Sequence, residues 1–514
     1  MSSSDRIAGR AAVSVTLIVL LSKAAGFVRD MISSGFFATG MERDAYASAY
    51  SLFYLPVLLF NSCITSTVVP MYIDARSNNS LRAANRFAST CVNFFALAGI
   101  AVCILMMIFA EPLVGLIYGG FDPEKQALTA KLCRIMLPSL ACVSVSIVMA
   151  SVLNANERYV AAQLTGFPLT ICVIIATVAF SPSYGITAVA WGVFAAGIMQ
   201  LLVLIGPINR SMRYSWRLDV FSERFARLFR LAVPAVLSMA VNELNHMIDK
   251  SLASYLRPGD ISAMDYAYRL ITFAIGILAV PLTTVMFSQV SKRAAENDEK
   301  GIARLVTGCV ETLCLVLVPV TVIGWVLRSD VITLAYMHGR FGTDSLRVTS
   351  SIFGFYLIGI LFFGLRDLFN RAFHSLQDTK TPMMASYLTV AVNIVLNIIL
   401  SRVMGADGLA FATTISCTVG ALVLFLALIK RISFMRDREM IIELLKIFIA
   451  SGLCMLSAMW LNSVVDPATG KLYTLVRIAI ISMASLAPYI TVLFLLRVRR
   501  VHFVAQIIRR KFRK

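Results

Sequence analysis

Leu21-Ser22-Lys23-Ala24-Ala25-Gly26-Phe27-Val28-Arg29-Asp30 lies inside an apolar segment that runs from about residue 11 to about residue 38. A helix of about 20 apolar residues spans a bilayer, so the segment is long enough to cross. Yet Lys23, Arg29 and Asp30 fall within it and not at its ends. A cation at bilayer depth costs at least about 2.5 kcal/mol, so such residues face a protein interior or a water-filled cavity and mark a substrate path. The stretch reads as one wall of a wet, cationic cavity in a helical membrane protein. The competing reading is local: Lys23 and Arg29 snorkel to an interface, or pair with Asp30.

Composition extends the membrane reading to the whole chain. Of 514 residues, 58% are hydrophobic and 15% charged, and the mean hydropathy is +0.79; no soluble domain of appreciable size is left over. The short polar stretch 1–10 leads into an apolar segment without a small-residue cleavage pattern, so that segment reads as the first span and not as a removable signal peptide. Apolar windows fall at about 11–38, 45–73, 87–110, 127–153, 160–180, 184–207, 226–256, 262–291, 305–327, 347–376, 383–402, 407–432, 440–462 and 474–497. The expected fold is an all-α polytopic membrane protein of about fourteen transmembrane helices.

The net charge of +19 raises nucleic acid as a partner, but the basic residues collect in alternate loops, which points instead to anionic lipid headgroups. One set of loops carries Arg6 and Arg10; Arg76, Arg82 and Arg86; Arg210, Arg213 and Arg217; Lys292, Arg293 and Lys300; Lys430, Arg431, Arg436 and Arg438; and the C-terminal tail. The other set is poorer, with Arg43, Lys125, Arg257 and a mixed stretch 328–347. This bias places both termini on the cytoplasmic side of a cell membrane. The tail itself, from Arg497 to Lys514, alternates basic and apolar residues and reads as an amphipathic helix on the anionic leaflet. The ten cysteines show no CxxC pair and no metal-ligand spacing, and read as small core residues.

A weak repeat runs at an offset of about 220 residues. Leu116-Ile117-Tyr118-Gly119-Gly120-Phe121 resembles 334–341, and Ala49-Tyr50-Ser51-Leu52 recurs as Ala267-Tyr268-Arg269-Leu270. Six spans separate the copies, which predicts two parallel six-helix lobes with a substrate site between them. The expected organisation is 1–210 for the N-terminal lobe, 211–435 for the C-terminal lobe, and 436–514 for helices thirteen and fourteen with the basic tail.

Arg269 is the second intramembrane cation, about eight residues into the eighth window. If helices one and eight face each other, Lys23, Arg29 and Arg269 converge on a multiply charged anion, arginine offering a planar fork to phosphate oxygens and lysine a point charge. Pairing of Arg269 with Asp265 at i, i+4 is the alternative. The seventh window carries Asn242, Glu243, Asn245, His246, Asp249 and Lys250. Asp249 with Asn393, Asn397 and Thr413 offers the oxygen ligands of a sodium site; hydrogen-bond glue between helices and a proton relay through His246 or Lys250 are the other readings. No nucleotide-binding or catalytic motif appears, so a transporter and not an enzyme is expected, driven by something other than bound ATP.

At this point the residues resemble a known family over nearly the whole chain. Ser22 to Asp30 with Asp44-Ala45, Leu231-Ala232-Val233-Pro234-Ala235 with Asn245 and Asp249, Tyr268-Arg269-Leu270, and Arg371-Ala372-Phe373-His374-Ser375-Leu376-Gln377-Asp378-Thr379-Lys380-Thr381-Pro382 are similar to the MurJ (MviN) lipid II flippases of the multidrug/oligosaccharidyl-lipid/polysaccharide exporter superfamily. Asn393, Asn397 and Gly408 to Thr413 continue the likeness. The resemblance implies fourteen helices in two lobes, a cationic cavity for the diphosphate-sugar headgroup, a groove from helices thirteen and fourteen for the polyprenyl tail, and substrate contacts from Lys23, Arg29, Asp30, Asp44 and Arg269. The second helix departs from the family: 50–61 carries no cation where an Asn and an Arg are usual. The expected function is translocation of lipid II, by alternating access, for cell-wall synthesis. A capsule or exopolysaccharide lipid-linked saccharide, a cation-coupled drug exporter, and a scaffold that recruits cell-wall synthesis enzymes are the alternatives. The mostly positive deep charges argue against a cationic drug, and they have no role in a scaffold.

Overall fold

The computed structural model describes residues 3–78, 80–216, 218–432, 438–466 and 470–501; the side chains at 3–16, 234–235, 237–239, 241–242 and 438 lie outside that description. Every regular element among these residues is helical. In chain order they are α1 (Ser3–Phe37), α2 (Met41–Asn78), α3 (Leu81–Ile108), α4 (Ala110–Ile117), α5 (Pro123–Met136) and α6 (Ser139–Ala155). Next come α7 (Tyr159–Tyr184, with a π-helical turn at Ala176–Phe180), α8 (Ile186–Asn209), α9 (Glu223–Ala253), α10 (Asp260–Leu278), α11 (Val280–Ala295) and α12 (Glu299–Val326). The last are α13 (Arg328–Tyr336), α14 (Thr343–Ser375), α15 (Lys380–Met404), α16 (Ala406–Arg431), α17 (Arg438–Val464) and α18 (Lys471–Leu495).

Eleven helices among the described residues are long and apolar enough to cross a membrane, or twelve if α5 and α6, bent by 46°, form one span. The chain is a multi-pass membrane protein. The figure of fourteen differs from this count by α1 and α9, each of which has side chains outside the description. The bend between α5 and α6 follows from Pro138, which lacks an amide donor and clashes with the preceding turn. At the matching place α14 has Ile358 and runs unbroken.

Helix boundaries recur along the chain. α3 and α12 are both 28 residues long, each is followed by a short helix, and at the C-terminal end of each short helix a tyrosine, Tyr118 just after one and Tyr336 the last residue of the other, closes the same contact. Tyr118 Oη donates to the Ser48 carbonyl at 3.3 Å and Tyr336 Oη to the Tyr266 carbonyl at 3.2 Å, the partners being 70 residues apart in both cases. The short sequence likeness around these tyrosines therefore marks a shared tertiary contact.

By contact the chain forms two units, Met1–Ser262 with His338–Phe341, and Ala263–Met337 with Gly342–Lys514. α9, which by repeat register opens the second half, belongs to the first unit. There Lys250 Nζ donates to Ser51 Oγ at 2.7 Å and to the Ala47 carbonyl at 3.4 Å, joining α9 to α2. The first unit's core gathers Ile64, Val68, Tyr72, Ala88, Phe95, Val148, Leu204 and Leu228 from five helices. The second unit's core draws on Leu313, Leu317, Phe369, Phe373, Leu424, Leu428, Tyr489 and Leu493. Within a bilayer such helices associate by close van der Waals fit, which small residues permit; Gly197 lies against Ser139 and Gly420 against Thr389. All ten cysteines are free, and none is exposed.

The start of the basic tail makes contacts with the protein itself. Val498 is buried. The Arg499 amide donates to Glu443 Oε2 at 3.0 Å, its guanidinium pairs with Glu439, and Arg500 Nε donates to Glu311 Oε2 at 3.0 Å. Carboxylates on α12 and α17 thus supply partners that the sequence pattern alone assigned to headgroups. The remainder of the expected amphipathic helix, 502–514, lies outside the described residues.

Candidate functional site

On α1, Arg29 directs Nε and Nη2 at one oxygen, Asp30 Oδ1, at 3.0 and 2.9 Å. Asp30 is buried and Lys23 exposed. The local pairing with Asp30 is therefore present, and it engages only one side of the guanidinium fork. Arg269, in the second unit, is held the same way: Nε donates to Asp265 Oδ2 at 3.3 Å, one helical turn back on α10. A carboxylate beside each arginine fixes its direction, the Arg29–Asp30 pair being mostly buried and the Arg269–Asp265 pair partly exposed.

Asp44 behaves differently. It is fully enclosed, and its oxygens accept four hydrogen bonds. Oδ2 takes Lys125 Nζ at 2.8 Å and the Gly259 amide at 2.7 Å, while Oδ1 takes the Ser262 amide at 2.8 Å and Ser262 Oγ at 2.7 Å. Charge-assisted bonds of this kind are the strong ones, so Asp44 pins the beginning of α10 and the first turn of α5 to α2. Lys125, read from sequence as a loop cation, is buried in this pair with its ammonium 4.1 Å from the Phe121 ring. Arg43, from the same loop set, is also buried, 5.1 Å from the Tyr46 ring. Sequence reasoning missed Lys125, Gly259 and Ser262; the one available signal was a lysine three residues after the helix-starting Asp122, where a solvated role was the simpler reading.

On α9 Asp249 is buried, and Asn245, His246 and Lys250 are half-buried. Asn393 and Asn397 on α15 are fully buried and bonded to each other, Asn397 Nδ2 to Asn393 Oδ1 at 2.8 Å. Asn393 Nδ2 reaches Thr413 Oγ1 at 3.4 Å and Ser416 Oγ at 3.3 Å on α16. The structure thus brings Asn393, Asn397 and Thr413 together and adds Ser416, while Asp249 belongs to the other unit. Among the described residues no group of three or more His, Cys, Asp or Glu is arranged to hold a metal ion.

The loop 376–382 has a physical account. Gln377 adopts φ +59°, and the Asp378 amide closes onto the Phe373 carbonyl at 3.0 Å, ending α14. Asp378 then accepts the amides of Lys380 and Thr381 at 3.1 Å each and Thr381 Oγ1 at 2.8 Å, and Arg431 Nη1 joins it at 3.0 Å. Burial works to raise the Asp378 pKa, but the Thr381 bonds and the Arg431 charge outweigh it and hold the carboxyl below its usual range. One side chain therefore caps α15 and ties its start to the end of α16. On α2, where the expected cation is missing, Tyr46, Tyr50 and Tyr54 form a ladder with ring centroids 6.0 and 5.8 Å apart.

Two sets of helices with matching boundaries, intramembrane arginines held by adjacent carboxylates, and a polar α9 define a polytopic transporter. The fold is that of a multidrug resistance MATE family transporter of the MOP superfamily solved in an inward-facing conformation, at TM-score 0.69 and 12% identity over 83% of this chain and 99% of that one. More narrowly, the chain belongs to the lipid II flippase MurJ family, whose model matches residues 32–480. A solved lipid II flippase MurJ in an inward closed conformation is similar at TM-score 0.79 and 26% identity, covering 93% of this chain and 98% of that chain. The probable lipid II flippase MurJ of Rhizobium meliloti is 29% identical over 84% of this chain and 82% of its own length. The lipid II flippase MurJ of Thermosipho africanus is 28% identical over 80% and 83%.

Proposed function

We propose that this protein translocates lipid II across the cell membrane for peptidoglycan synthesis, by alternating access, with Lys23, Arg29 and Arg269 as residues that meet the headgroup. The observation that carries the reading is the family match over 32–480, and Arg29 and Arg269, set inside helices, support it. A diphosphate in a low-dielectric site gains most from planar donor forks that are already oriented, and Asp30 and Asp265 provide that orientation. Asp44 serves this reading as a positioning residue. The activity moves a substrate and makes or breaks no bond in it.

In this reading fourteen spans complete the fold once α1 and α9 are counted, as two six-helix lobes and an additional pair. Both termini are cytoplasmic; burial of Arg43 and Lys125 supports this, since it leaves the opposite loops still poorer in exposed cations. The membrane potential drives an anionic headgroup outward at about 2.3 kcal/mol per charge per 100 mV. Sodium, a hard cation that takes oxygen ligands, is the proposed coupling ion, and cell-wall synthesis enzymes are the proposed partners. The test uses proteoliposomes loaded with fluorescent lipid II: flipping that needs neither potential nor sodium removes the coupling proposals, and no flipping under any gradient removes the function.

A further inference from the structure

The linker between α8 and α9, described at residues 210–216 and 218–222, is neither helical nor loose. It is fastened along α3 by three polar side chains. Tyr214 Oη donates to Asn93 Oδ1 at 2.5 Å, Asn93 Nδ2 to the Ser215 carbonyl at 3.4 Å, the Ser215 amide to Ser89 Oγ at 3.1 Å, and the Asp219 amide to Thr90 Oγ1 at 3.4 Å. Met212 and Phe225, at either side, are buried in the first unit's core.

The outward face of this strap is made of large apolar side chains left open. Trp216 is 89% exposed and Phe221 98%, with Tyr214 and Leu218 also exposed. Around them Arg210, Arg213, Arg227 and Arg230 are exposed as well, against Asp219 and Glu223 as the acidic residues of the stretch. The level of the strap is set by α3, because Ser89, Thr90 and Asn93 lie at the start of its apolar stretch, just after Arg82 and Arg86. That is the depth at which tryptophan and tyrosine collect in membrane proteins and at which arginines meet headgroups. Both α3 and α8 are long and apolar enough to cross the membrane.

We infer that the strap is a membrane-surface binding site, its aromatic side chains seated among lipid headgroups and its arginines selecting anionic phospholipid. Its consequence is that the linker joining the two halves of the chain is fixed both to α3 and to the leaflet. Interfacial aromatics supply depth, and arginines supply the preference for negative lipid.

The experiment reads Trp216, taken as the fluorescence difference between the wild-type chain and Trp216→Phe, so that no other tryptophan need be removed. The full chain is reconstituted in phosphatidylcholine vesicles and in vesicles with about one third phosphatidylglycerol, and compared in detergent. The inference expects iodide quenching of Trp216 to fall severalfold in vesicles and bromine-labelled lipid to quench it. It also expects the protein to retain phosphatidylglycerol over phosphatidylcholine by about tenfold, and the Arg210→Gln, Arg213→Gln, Arg227→Gln, Arg230→Gln variant to lose that preference. A Trp216 as open to iodide in anionic vesicles as in detergent overturns the site and leaves a soluble protein partner as the occupant. Equal retention of both lipids by the wild type overturns the anionic selection.

Discussion

Replacing Asp44 with alanine removes the acceptor of four hydrogen bonds from a site with no access to water. The Lys125 ammonium is stranded, and breaking a buried ion pair by deleting one partner costs about 3 to 5 kcal/mol. Each backbone donor left without an acceptor, at Gly259 and Ser262, adds about 1 to 3 kcal/mol unless water enters. The Phe121 ring near Lys125 is there before and after, so it offsets nothing. The expected loss is at least about 5 kcal/mol, comparable to the whole stability of many domains. Lys125→Met spares three of the four donors and should cost about half as much. Equilibrium denaturation in detergent measures both. An Asp44→Ala protein within about 1 kcal/mol of wild type, or one less affected than Lys125→Met, would refute the description of Asp44 as a clamp.

Other outcomes follow from single contacts. Arg29→Ala or Arg269→Ala should abolish flipping without preventing insertion, each removing a charge-assisted contact worth about 1.5 to 3 kcal/mol, and Arg269→Lys should be impaired because lysine lacks the fork; flipping assays on reconstituted protein check this. Asp378→Asn should lower stability by about 1 to 2 kcal/mol at pH 7 through loss of a cap and an ion pair. Because the folded carboxyl titrates below its ordinary value, the wild-type advantage is present above the ordinary carboxyl pKa of about 4 and is lost as pH falls through the folded pKa; melting temperatures of the two proteins should stay apart above about pH 4 and draw together only below it. Gly339, at φ +58°, would place a Cβ against the Gly35 carbonyl, so Gly339→Ala should destabilise by more than about 1 kcal/mol, whereas Gly26→Ala, in helix with open space around it, should be neutral or stabilising. Thermal melts should fall for Gly339→Ala and hold or rise for Gly26→Ala.

The helical, polytopic fold was legible because apolar windows of bilayer length are a direct consequence of lipid's inability to satisfy backbone groups. The tyrosine contacts at Tyr118 and Tyr336 were legible as a short repeat. The environment of Asp44 was not: its partners Lys125, Gly259 and Ser262 lie 81 to 218 residues away, and a lone lysine after a helix start reads as solvated. The engaged Arg499 and Arg500 were hidden for a related reason, since Glu311 and Glu443 sit in apolar helices where a carboxylate gives no sign of its partner. Periodicity also left Arg29 between cavity and local pairing, and the pairing with Asp30 is a matter of rotamer that spacing does not encode.

The central claim meets its most direct measurement in a bacterial strain depleted of its own lipid II flippase. The account predicts that the wild-type chain restores growth and rod or coccal shape, and that the Arg29→Ala, Arg269→Ala double variant, present in the membrane at equal level, does not. A wild-type chain that inserts but leaves lipid II confined to the inner leaflet, or a double variant that sustains growth, would contradict it.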